Sequence, residues 1–364
     1  MDGIVELRAN DNIRVMQTAQ SSGRRNALEH WVDGVLVAAG EPVANDWRPV
    51  VGDASFRQFY RVHTPTRTLI AMDAPPATEN NAQFVRLSRL FRDAGVSVPE
   101  VVASDIERGF LLVSDLGELM YSTVYGTAEH DVAIDAALET MIVIARVGDA
   151  NGVVPPYTRQ RFLDELELFK VWFLDGMLRH SLTKAEGGML DGVRRMLVDC
   201  VDAQNKVCVH RDFHSRNLLW GPDRVTRVVD FQDALHGPAL YDIASLLRDC
   251  YVRFAETEIA RWRERFRVRG LAAGLPLEED PGEFARQLDL TAMQRQMKAI
   301  GIFSRLELRD ARPSHLVDIE PVLHHLSDVA RAHPDFARFG EWLTDTIRPA
   351  ARVALAARGI ECAQ

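Results

Sequence analysis

Three polar side chains that could bind a metal ion or take up a proton lie close together in the sequence, at Asp212, Asn217 and Asp230. The short apolar run 206–209 before them predicts a buried strand that leads into a polar loop over residues 210–217. A carboxylate and an amide oxygen are hard ligands suited to Mg²⁺, which binds few protein groups and completes its shell with water and nucleotide phosphates. A second aspartate beside such a pair could orient and deprotonate an attacking hydroxyl. The residue types therefore point to phosphoryl transfer.

The residues between Asn217 and Asp230 predict a β-hairpin. Two apolar stretches, 218–220 and 225–229, flank the turn residues Gly221-Pro222-Asp223. Two antiparallel strands of similar length return to the level from which they started. We therefore expect the Asn217 and Asp230 side chains to lie side by side.

A simpler interpretation exists for Asp212 and Asn217, because Asp and Asn often satisfy the backbone of a loop. The complete pattern favours catalysis over this alternative. His-Arg-Asp-x-x-x-x-Asn, followed thirteen residues later by Asp-Phe, is the pairing of catalytic loop and metal-binding aspartate in the protein kinase-like architecture. We interpret His210 as a residue that stabilises this loop, and Cys208 as a small core residue.

The stretch resembles the aminoglycoside phosphotransferase and choline kinase superfamily, whose members are small-molecule kinases with the protein kinase fold. The motifs after Asp230 resemble more narrowly the bacterial anomeric sugar kinases of peptidoglycan recycling, which phosphorylate the C1 hydroxyl of N-acetylmuramate and N-acetylglucosamine. These motifs are Asp-Phe-Gln-Asp-Ala at 230–234, Gly-Pro at 237–238, Tyr-Asp at 241–242 and Ser-Leu-Leu-Arg-Asp at 245–249. A looser similarity extends over roughly residues 25–350.

The resemblance implies an ATP- and Mg²⁺-dependent kinase. It makes Asp212 the base, Asn217 and Asp230 the metal ligands, and Asp242 a residue that stabilises the catalytic loop. The implied fold is α+β and bilobal, like a protein kinase, with a small β-rich lobe followed by a mostly helical lobe.

Candidate substrate residues lie beside the base and on a later helix. Arg211 and His214 flank Asp212 and could contact the sugar or phosphate, or could instead support the loop. The lactyl carboxylate of N-acetylmuramate invites a cation, and we nominate Arg305, because that subdomain closes over the substrate in members of the superfamily. Three acidic residues of a predicted helix, Glu165, Glu167 and Asp175, could face a substrate cleft, although solvent is the better expectation for each.

The predicted domains follow from the order of the elements. Residues 1–22 are predicted to be a flexible lead, 23–117 a nucleotide-binding lobe, and 118–364 a helical lobe with the catalytic loop and a substrate subdomain.

Hydrophobic periodicity predicts the helices and strands of the two lobes. The first lobe has helices over 24–40 and 80–94, a hairpin over 52–72 and strands over 98–103 and 110–113; the second has helices beginning near 128 and helices over 241–254, 255–269, 284–309 and 314–358.

The resemblance places the nucleotide phosphates under the loop Gly52, Asp53, Ala54 and Ser55. Small residues allow backbone N–H groups to approach an anion. A plain hairpin turn fits these residues equally well, and only their position relative to the catalytic loop favours the phosphate loop. By alignment, backbone groups near Asp115 and Leu116 contact adenine.

One expected residue is missing. The fold normally places a phosphate-binding lysine where Met72 or Asp73 stands, and the first lysine in this chain is Lys170. An arginine could replace it, since a guanidinium suits phosphate oxygens. We favour Arg57, the arginine nearest the predicted phosphate loop. The alternatives are Arg61 and Arg67, and each of the three arginines could instead lie on a solvated strand face. Glu79 could pair with a phosphate-binding arginine, or it could stabilise the start of the next helix through the helix dipole.

Composition limits the possible partners. The 364 residues carry a net charge of −9, and 47% are hydrophobic and 26% charged, which is ordinary for a globular protein. The negative charge argues against binding to nucleic acid or to an anionic membrane surface, which both select basic patches. The four cysteines form no CxxC pair, and we see neither a signal peptide nor a transmembrane run. These features predict a cytoplasmic protein. The resemblance implies ATP and a small amino sugar as its partners.

Two other functions stay open at this point. A kinase for another small alcohol, such as an aminoglycoside, choline or homoserine, would share the catalytic residues, although the sequence has no dense acidic run for a cationic substrate. The missing lysine is also compatible with an inactive nucleotide-binding regulator. Retention of Asp212, Asn217 and Asp230 together argues against that alternative.

Overall fold

The computed structural model describes residues 23–50, 56–148 and 152–361. The predicted lead 1–22 and the predicted phosphate loop Gly52–Ser55 lie outside these residues. The fold separates into two compact units. Of the described residues, the first unit contains those up to Arg89 together with Pro99–Leu116, and the second contains Leu90–Val98 and those from Gly117 onward.

The first unit is built on an antiparallel sheet of five strands. Helix α1 (residues 23–38) precedes the sheet. The strands are β1 (Asp46–Val50), β2 (Gln58–His63), β3 (Thr68–Asp73), β4 (Val101–Asp105) and β5 (Phe110–Ser114), in the spatial order β1-β2-β3-β5-β4.

Helix α1 packs on one face of this sheet. Leu28, Val32 and Leu36 recur at four-residue spacing, so they share one side of the helix. All three are buried in a single cluster with strand residues such as Val62 and Leu69. The sequence-based prediction of a helix here is confirmed, and the helix gives way to a turn at Gly40, whose φ of +72° favours glycine.

Helix α2 (Asn81–Asp93) follows β3. Asn80 caps it, because its side-chain oxygen accepts a hydrogen bond of 3.1 Å from the backbone N–H of Gln83. Gly95, with a φ of +90°, follows the end of the helix. The predicted helix over 80–94 is therefore confirmed, and its two ends follow from local residues.

The second unit is mostly helical and contains two small antiparallel strand pairs. Its helices are α3 (Tyr121–Val124), α4 (His130–Ala145), α5 (Arg159–Leu168), α6 (Lys184–Ala203), α7 (Tyr241–Leu247), α8 (Glu256–Ala272), α9 (Pro281–Asp310), α10 (Leu316–Ala332), α11 (Ala337–Trp342) and α12 (Arg348–Ala356). Helix α5 continues as a π-helix over Phe169–Met177, and a second π-helix, Leu343–Ile347, precedes α12. The strands of the second unit are β6 (Lys206–Val209), β7 (Leu218–Trp220), β8 (Thr226–Val228) and β9 (Leu235–Pro238). The predicted α+β class is confirmed.

Helix α9 is the longest helix of the second unit, with 30 residues, and more than half of its side chains are buried. It approaches the start of the π-helix very closely at Gly301. A Cβ atom on Gly301 would lie 2.5 Å from the carbonyl carbon of Leu168 and 2.6 Å from the backbone nitrogen of Phe169. Only glycine permits this backbone approach, so α9 is held firmly against α5.

The prediction of one helix over 241–254 is wrong in its second half. Helix α7 ends at Leu247, because the next residues turn away. The Asp249 carboxylate accepts hydrogen bonds of 2.8 Å from the backbone N–H groups of Tyr251 and Ser215. A side chain that binds nearby backbone groups competes with helix continuation. Among the described residues, no helix is both long and apolar enough to span a bilayer.

Candidate active site

The catalytic loop leaves the end of β6. This strand pairs antiparallel with β9, with Cys208 opposite His236. Cys208 is buried, which confirms its interpretation as a core residue. The polar loop 210–217 thus starts from a buried strand pair.

The start of the loop is fixed by Asp242 of α7. Its two carboxylate oxygens accept hydrogen bonds from the backbone N–H groups of His210, at 2.6 Å, and Arg211, at 2.9 Å. The His210 ring is fully buried, and its Nε2 lies 3.0 Å from the carbonyl oxygen of Val229. Both residues therefore stabilise the loop, as the sequence predicted.

The loop leads into the predicted hairpin. Strands β7 and β8 pair antiparallel, with Leu218 opposite Val228. The backbone N–H of Val229 donates a hydrogen bond of 3.0 Å to the carbonyl oxygen of Asn217. Asn217 and Asp230 therefore stand at adjacent strand ends, and Asp230 adopts a φ of +62° there. A positive φ is uncommon for residues other than glycine and often marks a functional site.

The donors at these strand ends fit Mg²⁺. The Asn217 amide nitrogen donates a hydrogen bond of 2.9 Å to the carbonyl oxygen of Asp212, which leaves its amide oxygen as the acceptor. The exposed Asp230 carboxylate accepts a hydrogen bond of 2.6 Å from Gln232. In the part of the chain that the structure describes, no group of three or more His, Cys, Asp or Glu side chains could hold a metal alone. One carboxylate and one amide suit an ion that takes phosphate oxygens for its other ligands.

The Asp212 carboxylate lies among cations. Its Oδ1 is 3.8 Å from Nη2 of Arg295. Desolvation alone would raise the pKa of Asp212, but the charges of Lys298, Arg211 and Arg295 hold that pKa well below its ordinary value. The carboxylate is therefore ionised and able to accept a hydrogen bond from a hydroxyl.

Arg211 does not point outward. Its side chain is 8% exposed, and its guanidinium lies 3.2 Å from the Glu165 carboxylate and 3.4 Å from the carbonyl oxygen of Asp233. These contacts support loop stabilisation rather than direct contact with a sugar. The expectation that Glu165 faces a cleft or solvent is wrong, because its side chain is 9% exposed. Glu167, in contrast, is 41% exposed and pairs with Arg194.

The other two candidate substrate residues have different surroundings. The His214 ring is half-buried, with its centroid 5.1 Å from that of Tyr251. Burial lowers the pKa of His214 despite the nearby Asp249 and Asp212 carboxylates, so the ring is neutral. Arg305 lies on α9, and its buried Nε has no hydrogen-bond partner among the described residues. Burial is the main cause that lowers the pKa of Arg305, and the nearby positive charge of Arg309 lowers it further.

Arg57 pairs with Glu79 in the first unit. Their closest charged atoms are 2.7 Å apart, and the two side chains are 7% and 12% exposed. Strand register places Gln58 opposite Asp73, so Arg57 stands beside the end of β3, where the lysine was expected. Asp73 is itself buried and bound by Arg24, through Nε at 3.0 Å. Of the two alternatives for Glu79, the structure favours the ion pair.

The two other candidate arginines also pair with carboxylates. Arg61 Nε lies 2.7 Å from Asp115, and Arg67 pairs with Glu41 at the surface. Arg61 therefore joins β2 to the residue after β5, near Leu116. These contacts give Arg61 and Arg67 structural roles within the first unit.

Sequence analysis missed three residues of α9 that surround the catalytic loop, namely Gln294, Arg295 and Lys298. All three are buried. Lys298 lies three residues after Arg295 and four after Gln294, within a helix whose other buried residues are mostly apolar. The sequence offered one indication of these residues, namely polar side chains on an otherwise apolar helix face. Such side chains are expected to have buried partners, because burial of a charge requires a partner.

The sheet of the first unit and the loop and hairpin of the second define a protein kinase-like phosphotransferase fold. The chain belongs to the phosphotransferase enzyme family, whose sequence profile matches residues 46–284. This membership confirms the resemblance to aminoglycoside phosphotransferases and choline kinases.

Several known proteins are similar to the chain. An N-acetylmuramate/N-acetylglucosamine kinase of Pseudomonas aeruginosa is 37% identical over 329 residues, which cover 88% of this chain and 96% of that protein. The kinase of the same name from Neisseria meningitidis is 34% identical and covers 78% of this chain and 86% of its own length.

Among solved structures, choline kinase LicA from Streptococcus pneumoniae has a TM-score of 0.60 at 12% identity, over 83% of this chain and 99% of that one. A ternary complex of aminoglycoside phosphotransferase APH(4)-Ia with AMP-PNP and hygromycin B has a TM-score of 0.57 at 14% identity, over 79% of this chain and 94% of that one. At these identities the structures support the fold.

Proposed function

We propose that this protein is an ATP- and Mg²⁺-dependent kinase that phosphorylates the anomeric C1 hydroxyl of N-acetylmuramate and N-acetylglucosamine in the cytoplasm. The observation that carries the proposal is the 37% identity to a kinase of these sugars over 88% of the chain. The ionised Asp212 carboxylate, next to the paired strand ends of Asn217 and Asp230, supports it chemically.

Asp212 orients the sugar hydroxyl and accepts its proton. The carboxylate holds the hydroxyl by a hydrogen bond and takes the proton as the oxygen attacks the γ-phosphorus of ATP. The bond between the γ-phosphorus and the β–γ bridging oxygen breaks in the same transfer, and ADP leaves with its electron pair. An anomeric hydroxyl is more acidic than an ordinary alcohol, so a base with a lowered pKa is sufficient. The Asn217 side chain fixes the position of the Asp212 backbone through its hydrogen bond of 2.9 Å.

The amide oxygen of Asn217 and the carboxylate of Asp230 would hold the Mg²⁺ ion. When bound, Mg²⁺ neutralises charge on the phosphate oxygens. The hydrogen bond from Gln232 to Asp230 orients one carboxylate oxygen, which leaves the other for the metal.

We assign the nucleotide contacts of the first unit to three places. Arg57 binds phosphate oxygens, Gly52–Ser55 supplies backbone N–H groups, and the backbone near Asp115 and Leu116 contacts adenine. The burial of Arg57 beside Glu79 supports the first assignment, because the carboxylate fixes the guanidinium as the αC glutamate fixes the lysine in protein kinases. The strand register supports it as well.

For the sugar we propose His214 and Arg305. A neutral His214 ring can donate or accept a hydrogen bond at a hydroxyl or N-acetyl group. The unsatisfied Nε of Arg305 and its lowered pKa indicate a cation that a ligand carboxylate would stabilise, such as the lactyl group of N-acetylmuramate.

We expect Arg57→Met to lower kcat/KM for ATP by about 10- to 100-fold, because a hydrogen bond to a charged group contributes about 1.5–3 kcal/mol. Steady-state kinetics at varied ATP and saturating sugar would measure this effect. Arg67→Met is the matched control, since Arg67 pairs with Glu41 at the surface. An equal loss in the control, or none in Arg57→Met, would assign the phosphate contact elsewhere.

Phosphorus NMR of reactions containing ATP, Mg²⁺ and one of the two sugars tests the function. We expect a sugar phosphate resonance coupled to the anomeric proton. ATP consumption with choline or an aminoglycoside but with neither amino sugar would instead establish a kinase for another alcohol. ATP binding without consumption in the presence of any of these acceptors would establish the regulator.

A further inference from the structure

The residue before the base has an unusual backbone. Arg211 adopts a φ of +79°, a conformation that side chains other than glycine rarely take. Such a conformation costs free energy and persists only where surrounding contacts determine it. Asp242 binds its N–H group, and Arg295 donates a hydrogen bond of 3.3 Å to its carbonyl oxygen. The side chain of Arg211 provides the remaining anchor.

The Arg211 guanidinium is held by Glu165 of α5, at 3.2 Å, and by the carbonyl oxygen of Asp233, at 3.4 Å; of these two partners only Glu165 carries a charge. Besides Arg211, its carboxylate accepts a hydrogen bond from the Tyr157 hydroxyl and one of 3.1 Å from Gln294, and it lies 3.7 Å from Lys298 Nζ. Arg161, one turn earlier on α5, lies 3.9 Å from the same carboxylate through its Nε. Five groups therefore converge on one buried carboxylate. Lys298 also donates a hydrogen bond of 3.3 Å to the Tyr241 hydroxyl.

The charges of this cluster are compensated internally. Burial would raise the pKa of Glu165, but Lys298 and Arg211, with hydrogen bonds from Tyr157 and Gln294, lower it, so the carboxylate is ionised. Burial raises the pKa of Tyr157 well above its usual value, so its hydroxyl is a neutral donor. An anion between two cations in a buried site is costly to neutralise, because an unpaired buried charge strongly destabilises a protein.

We propose that Glu165 is a positioning residue for the catalytic base. By holding the Arg211 guanidinium, Glu165 fixes the backbone of Arg211, the strained residue next to Asp212. The fixed backbone in turn sets the orientation of the Asp212 carboxylate. The inference rests on the proposed reaction for its kinetic consequence. A displacement of about 1 Å in a catalytic group can lower a rate 10²-fold. Among the described residues, the Glu165 carboxylate forms no hydrogen bond or ion pair with Asp212, Asn217 or Asp230, so it acts on the base through Arg211.

The first test compares Glu165→Gln with Glu167→Gln. The two glutamates are two residues apart on α5, and each pairs with an arginine, but Glu167 is exposed. We expect Glu165→Gln to lower kcat by about 10- to 100-fold with KM for ATP within about twofold, and the control to leave both unchanged. Unchanged kcat in Glu165→Gln would overturn the proposal.

A double variant separates positioning from stability. Arg211→Met combined with Glu165→Gln removes one charge of each sign, so we expect the double variant to regain much of the Tm lost in either single variant. Its kcat should stay low, because the anchor is gone. Recovery of kcat together with Tm would show that Glu165 acts only on stability. If Glu165→Gln does not fold, Glu165→Asp replaces it in the test, because this variant keeps the charge and shortens the side chain. A lowered kcat in Glu165→Asp would support the proposal, and an unchanged kcat would overturn it.

Hydrogen–deuterium exchange measured without substrate makes the test independent of the proposed reaction. We expect faster exchange of amides in residues 208–217 in Glu165→Gln but not in Glu167→Gln. Equal exchange in both variants would overturn the positioning role. If the wild type phosphorylates neither sugar, the proposed function fails, while this comparison still decides the role of Glu165.

Discussion

Asp212→Asn is expected to abolish nearly all sugar phosphorylation, with kcat lowered by about 10²- to 10⁴-fold, the usual contribution of a general base. An amide cannot accept the hydroxyl proton. The loop should keep its shape, because Asn217 binds the backbone carbonyl oxygen of residue 212 and not its side chain. Affinity for the nucleotide should therefore change little.

Initial rates with N-acetylglucosamine, together with ATP affinity from titration calorimetry, would measure both parts of this expectation. Asp191→Asn is a suitable control, because the Asp191 side chain is 63% exposed and lies 3.8 Å from its arginine partner. A kcat for Asp212→Asn within tenfold of the wild type would assign the base to another residue.

Asp230→Asn is expected to cause the second large loss, about 10²- to 10⁴-fold in kcat at ordinary Mg²⁺ concentration. Metal stabilisation of transition-state charge is worth several kcal/mol, and each 1.4 kcal/mol or so is a factor of about ten. Asparagine is preferred to alanine in this experiment, because Asp230 has a φ of +62° and asparagine tolerates that conformation. The backbone at the hairpin end should therefore survive the change.

The measurement is the initial rate as a function of Mg²⁺ concentration. We expect half-saturation at a higher concentration in Asp230→Asn and a partial recovery of rate with excess metal. Asp233→Asn serves as the control, since Asp233 is an exposed aspartate three residues along the chain. An unchanged Mg²⁺ dependence in Asp230→Asn would exclude Asp230 as a ligand.

These two experiments concern the part of the molecule that the sequence predicted best. The hairpin could be predicted because its turn residues and its apolar stretches lie within fourteen consecutive positions, and the proximity of Asn217 and Asp230 was expected from it. The same holds for α1 and α2, whose periodicity, cap and terminal glycine are local features. Membership in the phosphotransferase enzyme family also followed from short motifs.

Prediction failed where a residue's role depends on partners far along the chain. Glu165 was expected at a cleft or in solvent, and it is buried because Arg211, Gln294 and Lys298 meet it there. Helix α7 ended early for a similar reason, since Asp249 binds the backbone of Ser215 in the catalytic loop.

The sequence by itself brought together the three residues to which we assign the chemistry, because Asp212, Asn217 and Asp230 are positioned by one strand, one loop and one hairpin. Only the tertiary structure decided how Asp212, the proposed base, is held. A buried charge is stable only beside its partners. The partners of Arg211 come from α5 and from the loop that carries Asp233, while Arg295 and Lys298, two of the cations near Asp212, come from α9. Periodicity shows which face of a helix is buried, but it does not show which charged groups that face meets.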